Sequence, residues 1–230
     1  MNIKILQLIE GALEARGHAV IIDVFRAFTT ACTAYANGAE RIIVTSRLDT
    51  AFSLREENPG CILMGERNEK MVSGFDFGNS PTAIKDVDFK GRLVVQTTSA
   101  GTQGIAHAGS ANEVIAGSFV NAGAVARYLR AQDPADVSLV CMGYATDYPT
   151  EEDTYCARYI SNELKGLDSN FDAWVEEIRR TSGRRFFLEE NQAHAPATDF
   201  DLCLRLNRYD FILKAIKIAE DRYELLKIPA

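Results

Sequence analysis

Short β-branched runs alternate along the chain with longer segments of helical pattern, and this alternation constrains the fold more than any other feature. The first run, AVIIDV at 19–24, is apolar without interruption, as expected of a strand buried on both faces. Five further strands are predicted at 41–46, 61–65, 92–96, 113–118 and 138–143, with helices at 26–37, 49–57, 101–108, 121–131 and 151–164. The pattern predicts an α/β fold, a three-layer α/β/α arrangement around a mostly parallel or mixed sheet.

The second half of this pattern resembles a repeat of the first. A shift of 72 positions places Thr30 on Thr102 and Ser46 on Ser118 without a gap. We therefore expect one domain, residues 1–230, consistent with an internal duplication of βαβαβ units. The expected halves cover about 19–66 and 91–143, and a C-terminal extension covers about 168–230. Two such units would place a pocket beyond the carboxyl ends of the strands.

The C-terminal extension has a different character from the rest of the chain. A helix is predicted at 171–180, irregular structure at 181–198, and a two-stranded hairpin from DFILKAIKI and RYELLKI. The sequence does not indicate whether residues 168–198 form a lid, a dimer contact or a cover over the sheet.

Composition excludes several classes of protein. The chain has 25 Lys and Arg against 32 Asp and Glu, a net charge of −7, which disfavours broad binding to nucleic acid or a membrane surface. No apolar run is long enough for a membrane span, and the first residues lack the pattern of a signal peptide. The five cysteines are widely spaced and form no CxxC pair. We expect a cytoplasmic protein without a disulfide framework.

Polar side chains follow most of the predicted strands, and these are the candidate site residues. They are Asp23 and Arg26 after the first strand, Glu66 and Arg67 after the third, Thr97 and Thr98 after the fourth, Ser118 and Asn121 after the fifth, and Glu152 and Asp153 after the sixth. Because the carboxyl ends of parallel strands share one edge, we expect carboxylates, arginines and hydroxyls to converge there, as a site for an anion and a metal requires.

Each of these candidates also has a structural interpretation. Asp23 could cap a helix or pair with Arg26, and the acids from 151 to 153 fit a capping box begun by Thr150. Glu66 and Arg67 could form a surface ion pair. Both interpretations remain open at this point.

The segment VVQTTSAGTQG has the composition of a strand that ends in a phosphate-binding turn. Gly101 allows a close backbone approach, and the N-terminus of the following helix favours an anion. The hydroxyls of Thr97, Thr98 and Thr102 would add donors. The alternative is an ordinary helix cap with a tight turn, and the segment is not a Walker loop, because no lysine follows.

Five motifs in order resemble the 2-phosphosulfolactate phosphatase (ComB) family: VIIDVFRAFTTACTAYANGA, GERN with GFDFGNSP, TTSAGT, GSFVNAGAVA and EEDTYCA. The likeness runs from about residue 19 to residue 164. It implies an α/β/α fold, dependence on Mg²⁺, and hydrolysis of a phosphate ester next to a carboxylate. The substrate implied is (2R)-2-phospho-3-sulfolactate, which yields 3-sulfolactate and phosphate, as in coenzyme M biosynthesis.

The sequence departs from the family pattern at three places, where the tail of the substrate could be recognised. The usual Leu-Arg-Ala-Thr-Thr stands here as FRAFTT at 25–30, Thr-Thr-Asn-Gly-Thr as TTSAGT at 97–102, and the loop after Gly143 as YATDYPT. These departures leave the identity of the substrate open. The alternatives are a phosphatase acting on an unsulfonated 2-phospho acid and a non-catalytic homologue that only binds the acid.

The mechanism expected from these residues combines one cation with one anion-binding turn. Mg²⁺ would be held by two or three of Asp23, Glu66, Glu152 and Asp153, and an oriented water would attack the phosphorus in line. The phosphoryl group would lie against Thr97, Thr98, Gly101 and Thr102, with its charge compensated by Arg26 and Arg67. Ser118 and Asn121 are candidate substrate ligands. The expected partners are a small phosphorylated acid and a second copy in a homodimer, with no nucleic acid and no membrane.

Overall fold

Ten strands and nine helices alternate along most of the chain, and the computed structural model describes all residues from Met1 to Ala230. The strands are β1 Asn2–Gln7, β2 His18–Ile22, β3 Arg41–Val44, β4 Ile62–Arg67, β5 Lys70–Met71, β6 Leu93–Thr97, β7 Glu113–Gly117, β8 Asp136–Cys141, β9 Phe211–Ala219 and β10 Arg222–Pro229. The helices are α1 Leu8–Glu14, α2 Ala27–Ala36, α3 Leu48–Glu57, α4 Pro81–Ile84, α5 Gly101–His107, α6 Ala122–Gln132, α7 Glu151–Lys165, α8 Phe171–Arg180 and α9 Ala197–Cys203.

The predicted fold class is confirmed, and each of the six predicted strands and five predicted helices of the alternating region is present within a few residues. Helix α8 and the hairpin of β9 and β10 are also present. The structure adds β1, α1, β5, α4 and α9, none of which was predicted. The segment expected to be irregular contains 3₁₀ turns at Ser182–Phe187 and Glu189–Asn191 and leads into α9.

All ten strands belong to one mixed sheet in the order β1-β8-β2-β7-β9-β10-β3-β6-β4-β5. Strands β1, β8, β2 and β7 are mutually parallel, and so are β3, β6 and β4. The antiparallel hairpin β9–β10 joins the two groups. The two groups therefore run in opposite directions, and the expectation that all predicted strands share one parallel edge was wrong.

The two expected halves do not lie side by side in this sheet. Strand β2 lies between β7 and β8, and β6 lies between β3 and β4. The first strand of each half is thus inserted between the second and third strands of the other half. This exchange interleaves the two halves and brings residues from both of them into one site.

Helix α2 lies against the inner face of the sheet and is buried over nearly its whole length. One apolar cluster joins α2 to both groups of strands and to the hairpin, and includes Ile21 of β2, Val94 of β6 and Leu213 of β9. The carboxyl ends of β2 and β6 lie close together although these strands are not neighbours, since the backbone N–H of Gly101, after β6, donates to Asp23, after β2.

Two outer clusters complete the three layers. Helices α6 and α7 cover the outer face of the group that contains β2 and β8, and α3 covers the outer face of the group that contains β3 and β6. The five cysteines are all buried and unpaired. No helix combines the length and apolarity that a membrane span would need.

Candidate active site

A small polar cavity opens where the carboxyl ends of β2, β4, β6 and β8 meet. The residues that line it are Asp23, Phe25 and Arg26 after β2, Glu66 in β4, Asn68 and Glu69 after β4, Asn79 between β5 and α4, Ser99 and Ala100 after β6, Gly143, Tyr144 and Ala145 after β8, and Arg185 from the C-terminal extension. Most of these side chains are polar, so the cavity suits a charged ligand.

Asp23 connects the starts of two helices. Its Oδ1 accepts a hydrogen bond from the backbone N–H of Ala27 at 3.0 Å, and its Oδ2 accepts one from Gly101 at 2.7 Å. Burial raises the pKa of Asp23 to about 6, and the negative charges of Glu66 and Glu152 add to this effect. The Asp23 carboxylate therefore accepts from the first amide of α2, as the helix-cap interpretation predicts, and also lines the cavity.

Glu66 ends β4 beside the loop that follows β6. Its carboxylate accepts hydrogen bonds from the backbone N–H of Ser99 at 2.6 Å, the hydroxyl of Ser99 at 3.0 Å and the backbone N–H of Glu69 at 2.8 Å. The preceding Gly65 has a φ of +154°, and a Cβ there would lie 2.0 Å from the carbonyl oxygen of Thr97. Glycine at 65 thus lets β4 approach β6 closely and directs Glu66 into the cavity.

Asp153 and Glu152 lie behind the cavity wall. Asp153 accepts hydrogen bonds from the backbone N–H groups of Val24 at 2.8 Å and Gly143 at 2.9 Å, so it joins the loops after β2 and β8. Burial and the charge of Glu152 raise the pKa of Asp153 well above its usual range. The side chain of Thr150 makes no capping hydrogen bond, so the expected capping box is absent. The acids at the start of α7 instead turn inward, towards Asp23.

The two arginines predicted to compensate the phosphate have different surroundings. Arg26 lines the cavity but is buried against Asp199, with 2.6 Å between Nη1 and Oδ2, and the same Nη1 donates to the carbonyl of His194 at 2.6 Å. Arg67 does not line the cavity. It donates to the carbonyls of Glu66 and Ser46, and to the hydroxyl of Thr97 at 2.8 Å.

The hydroxyl residues predicted to bind phosphate are engaged within the fold. Thr98 and Thr102 exchange hydrogen bonds around the start of α5, at 2.9 and 3.3 Å. Ser118 and Asn121 form a reciprocal capping box before α6, and Ser118 also contacts the hydroxyl of Thr29 at 2.8 Å. None of the predicted phosphate and substrate ligands lines the cavity, namely Thr97, Thr98, Gly101, Thr102, Ser118 and Asn121. The wall at the start of α5 is formed by Ser99 and Ala100.

The cavity residues absent from the predicted site include Asn79, Glu69, Tyr144 and Arg185. Asn79 is 5% exposed and its Oδ1 has no hydrogen-bond partner. It lies in the motif GFDFGNSP, so the motif was a usable signal for this residue. Arg185 lies in a segment without clear periodicity, and no local pattern in the sequence points to it.

The donors in the cavity fit Mg²⁺ better than a metal that needs a cage of protein ligands. No three His, Cys, Asp or Glu side chains are grouped as a metal cluster. Asp23 and Glu66 both line the cavity, as does the unpartnered amide oxygen of Asn79. Mg²⁺ prefers oxygen ligands and is commonly bound by one or two carboxylates, with water and substrate phosphate completing its coordination.

The charge balance of the cavity also favours a cation. Three carboxylates line it, from Asp23, Glu66 and Glu69, and the charge of Arg26 is already balanced by Asp199. Arg185 is therefore the one cavity cation that faces this excess of negative charge. An anionic ligand would be repelled unless a bound cation compensated the carboxylates.

Comparison with known proteins agrees with the resemblance found in the motifs. A family model described as 2-phosphosulpholactate phosphatase matches residues 3–217. A relative from Carboxydothermus hydrogenoformans is 35% identical over 92% of both chains, and one from Thermotoga petrophila is 42% identical over 77% of this chain and 76% of its own length. A relative from Symbiobacterium thermophilum is 40% identical over 65% of this chain and 64% of its own length. All three are named probable 2-phosphosulfolactate phosphatase. The chain belongs to the 2-phosphosulfolactate phosphatase family.

Proposed function

We propose that this chain is a Mg²⁺-dependent phosphatase that hydrolyses the phosphate monoester of a 2-phospho acid. The observation that carries the proposal is the placement of Asp23 and Glu66, two buried carboxylates from different strand ends, on one polar cavity. Family membership supplies the reaction class, phosphoric monoester hydrolysis. The first candidate substrate is (2R)-2-phospho-3-sulfolactate, after the names of the relatives.

In the proposed reaction, Asp23, Glu66 and the amide oxygen of Asn79 would hold the cation. When bound, Mg²⁺ supplies positive charge that lets the phosphoryl group approach these carboxylates and stabilises the charge of the transition state. A carboxylate of the cavity orients the attacking water. The water oxygen gives up one proton and forms a bond to phosphorus, and the bond between phosphorus and the ester oxygen breaks. The ester oxygen takes up one proton, so that the proton lost by the water is balanced and the products are the 2-hydroxy acid and phosphate.

The walls of the cavity keep these groups in position. Ser99 holds Glu66 through its backbone N–H and its hydroxyl, and Gly101 holds Asp23 through its N–H. These hydrogen bonds fix the two carboxylates before a ligand binds. Such preorganisation is the main contribution of a protein to phosphoryl transfer, because little covalent chemistry is needed.

A second candidate substrate is an unsulfonated 2-phospho acid, such as 2-phospholactate or phosphoglycolate. 2-Phosphosulfolactate carries two anionic groups besides its phosphate, a carboxylate and a sulfonate, whereas 2-phospholactate and phosphoglycolate carry only the carboxylate. Of the two cavity arginines, Arg26 is hydrogen-bonded to Asp199, and only Arg185 has a donor without a hydrogen-bond partner. One such arginine suffices for one anionic group, which favours the unsulfonated acids and a role outside coenzyme M biosynthesis.

The test is phosphate release from 2-phosphosulfolactate, 2-phospholactate and phosphoglycolate, each with Mg²⁺ and with a chelator. We expect release that depends on Mg²⁺ and that falls at least 100-fold in Asp23→Asn, because this variant removes a cation ligand. The control is Asp86→Asn, whose side chain is 82% exposed and does not line the cavity. Circular dichroism of each variant checks the fold. Equal turnover in Asp23→Asn and wild type would refute the assignment of Asp23, and no release from any substrate would refute the phosphatase proposal.

The expected homodimer and the cytoplasmic location remain predictions. Light scattering coupled to gel filtration measures the mass of the assembly, which should be twice the 25.4 kDa of one chain.

A further inference from the structure

Arg185 is held at the mouth of the cavity by the C-terminal extension. Its guanidinium lies over three aromatic rings, 5.5 Å from the ring centre of Phe25, 5.3 Å from that of Tyr144 and 4.9 Å from that of Phe186. Its Nη1 donates to the carbonyl of Ser182 at 2.6 Å. The three aromatic rings flank the guanidinium and limit its movement, and Arg185 lines the cavity.

The carboxylate in contact with Arg185 is Glu69, and this contact is incomplete. The charge of Arg185 also opposes the rise that burial causes in the pKa of Glu152, but the two side chains form no salt bridge. Arg185 Nε lies 2.7 Å from Glu69 Oε1, but the N–H does not point at the oxygen, and Nε has no hydrogen-bond partner. The hydroxyl of Tyr144 reaches the same carboxylate at 3.5 Å, a long contact. Glu69 thus neutralises Arg185 without satisfying its donors.

Glu69 occupies a position that can be vacated. It lies in the two-residue turn between β4 and β5, where Asn68 and Glu69 both have positive φ angles. Strand β5 has only two residues, both exposed. The side chain of Glu69 is partly exposed, so its carboxylate can turn to solvent without being buried unpaired.

Arg26, the other arginine of the cavity, has no such freedom. It is 2% exposed, and its Nη1 is hydrogen-bonded to Asp199, a fully buried carboxylate. Asp199 in turn accepts from the hydroxyl of Ser80 and the N–H of Thr82. A ligand that bound the Arg26 guanidinium in place of Asp199 would leave the buried Asp199 carboxylate without a counterion, which costs free energy of folding. Of the two, Arg185 is the arginine that can exchange its partner.

We propose that Arg185 binds the carboxylate of the 2-phospho acid, and that Glu69 is the internal counterion which this carboxylate displaces. The inference rests on the proposed function for its substrate class and adds the residue that distinguishes a 2-phospho acid from a simple phosphate ester. An incoming carboxylate can pair with the planar fork of the guanidinium through two hydrogen bonds. A monoester without a carboxylate leaves Arg185 on Glu69 and gains nothing from it.

The kinetic test compares 2-phospholactate with ethyl phosphate, the same ester without the carboxylate. In Arg185→Gln we expect kcat/KM for 2-phospholactate to fall about 10- to 100-fold, as for the loss of a charge-assisted hydrogen bond, and kcat/KM for ethyl phosphate to change less than about threefold. The control is Arg184→Gln, an exposed arginine one residue away that removes the same charge. In Glu69→Gln, which removes the competing carboxylate, the preference for 2-phospholactate over ethyl phosphate should rise.

A binding test keeps this inference separate from the phosphatase proposal. The probes are the phosphonate in which CH₂ replaces the ester oxygen of 2-phospholactate, and propylphosphonate, its counterpart without the carboxylate. Neither can be hydrolysed, so calorimetry measures affinity whether or not the protein is a phosphatase. We expect the wild type and Arg184→Gln to prefer the carboxylated probe, and Arg185→Gln to lose that preference.

The two tests distinguish failure of this inference from failure of the phosphatase proposal. Binding that depends on Arg185 without any phosphate release would keep the inference and refute the phosphatase proposal. An equal loss for both esters, or for both phosphonates, in Arg185→Gln would overturn the inference, because Arg185 would then act on the phosphate or on the fold. An unchanged or lower preference in Glu69→Gln would overturn the role of Glu69 as the displaced counterion.

Discussion

The buried ion pair between Arg26 and Asp199 connects the C-terminal extension to the site, and its removal gives a sharp test of the structure. Asp199, on α9, is fully buried, and its Oδ2 lies 2.6 Å from Arg26 Nη1. Its Oδ1 accepts from Ser80 Oγ at 2.8 Å and from the N–H of Thr82 at 2.9 Å. Asp199→Asn preserves the shape of the side chain but removes the charge, and leaves Arg26 buried without a counterion.

The expected loss is large because one charge stays in the interior. Removal of one partner of a buried pair costs about 3–5 kcal/mol. In a chain of this length each kcal/mol lowers Tm by about 2–4 °C, so Asp199→Asn should lower Tm by about 6–20 °C. The matched control is Asp201→Asn on the same helix. Its side chain is 66% exposed and its nearest contact with Arg179 is 3.8 Å, so it should cost less than about 1 kcal/mol.

Urea unfolding followed by circular dichroism measures both variants against the wild type. Two-state transitions with equal m-values are required for the comparison, since a changed m-value would report a change in the unfolded or native state rather than in this pair. Asp199→Asn should also weaken phosphate release, because Arg26 lines the cavity. If Asp199→Asn and Asp201→Asn destabilise the protein equally, the argument that the buried pair holds the extension on the site is refuted.

Two further predictions concern the carboxylates of the cavity. In Gly101→Ala the new Cβ would lie 2.8 Å from Asp23 Oδ2 and 2.9 Å from Ala27 Cβ, so we expect at least tenfold slower phosphate release and about 1–3 kcal/mol of destabilisation. The control is Gly109→Ala, which has open space around its Cβ and should change neither the activity nor the stability. Equal activity in the two variants would contradict this prediction. Mg²⁺ that binds only the folded protein stabilises it, so Mg²⁺ at 100 times its Kd should raise the Tm of the wild type by about 5–10 °C in a thermal scan. The Tm of Asp23→Asn should not rise. An equal rise in both proteins would show that the cation binds elsewhere.

The strands and helices were predictable where the pattern is strong, but their arrangement was not. Apolar β-branched runs such as that of β2 mark buried strands without ambiguity. Strand β1 was missed, although its residues partly alternate between polar and apolar, because it runs into α1 without a turn residue or a side-chain cap between them. Periodicity identifies strands but not their neighbours. The insertion of β2 between β7 and β8, and the antiparallel hairpin in the centre of the sheet, depend on contacts between distant segments.

The site divides in a similar way. Asp23 and Glu66 were predictable because a carboxylate that directly follows a buried strand has few places to lie other than the strand end. Thr98 and Thr102 were placed in the site for the same reason, but small hydroxyl side chains at a helix start satisfy the helix's own backbone groups. Arg185 could not be found, since its partner Glu69 is distant in sequence and its segment has no period that indicates an inward face.

The charges of the cavity explain why the chain needs both a strand-end site and a C-terminal cover. The strand ends supply Asp23 and Glu66, which suit a cation and, through it, a phosphate, but carry no positive charge for a second anionic group. Arg26 is adjacent but is already balanced by Asp199. The extension supplies the missing cation, Arg185, which also lines the cavity. A substrate with two anionic groups can therefore span the cavity, its phosphate towards the carboxylates and its carboxylate towards Arg185. A monoester with one anionic group occupies only the first half of this arrangement.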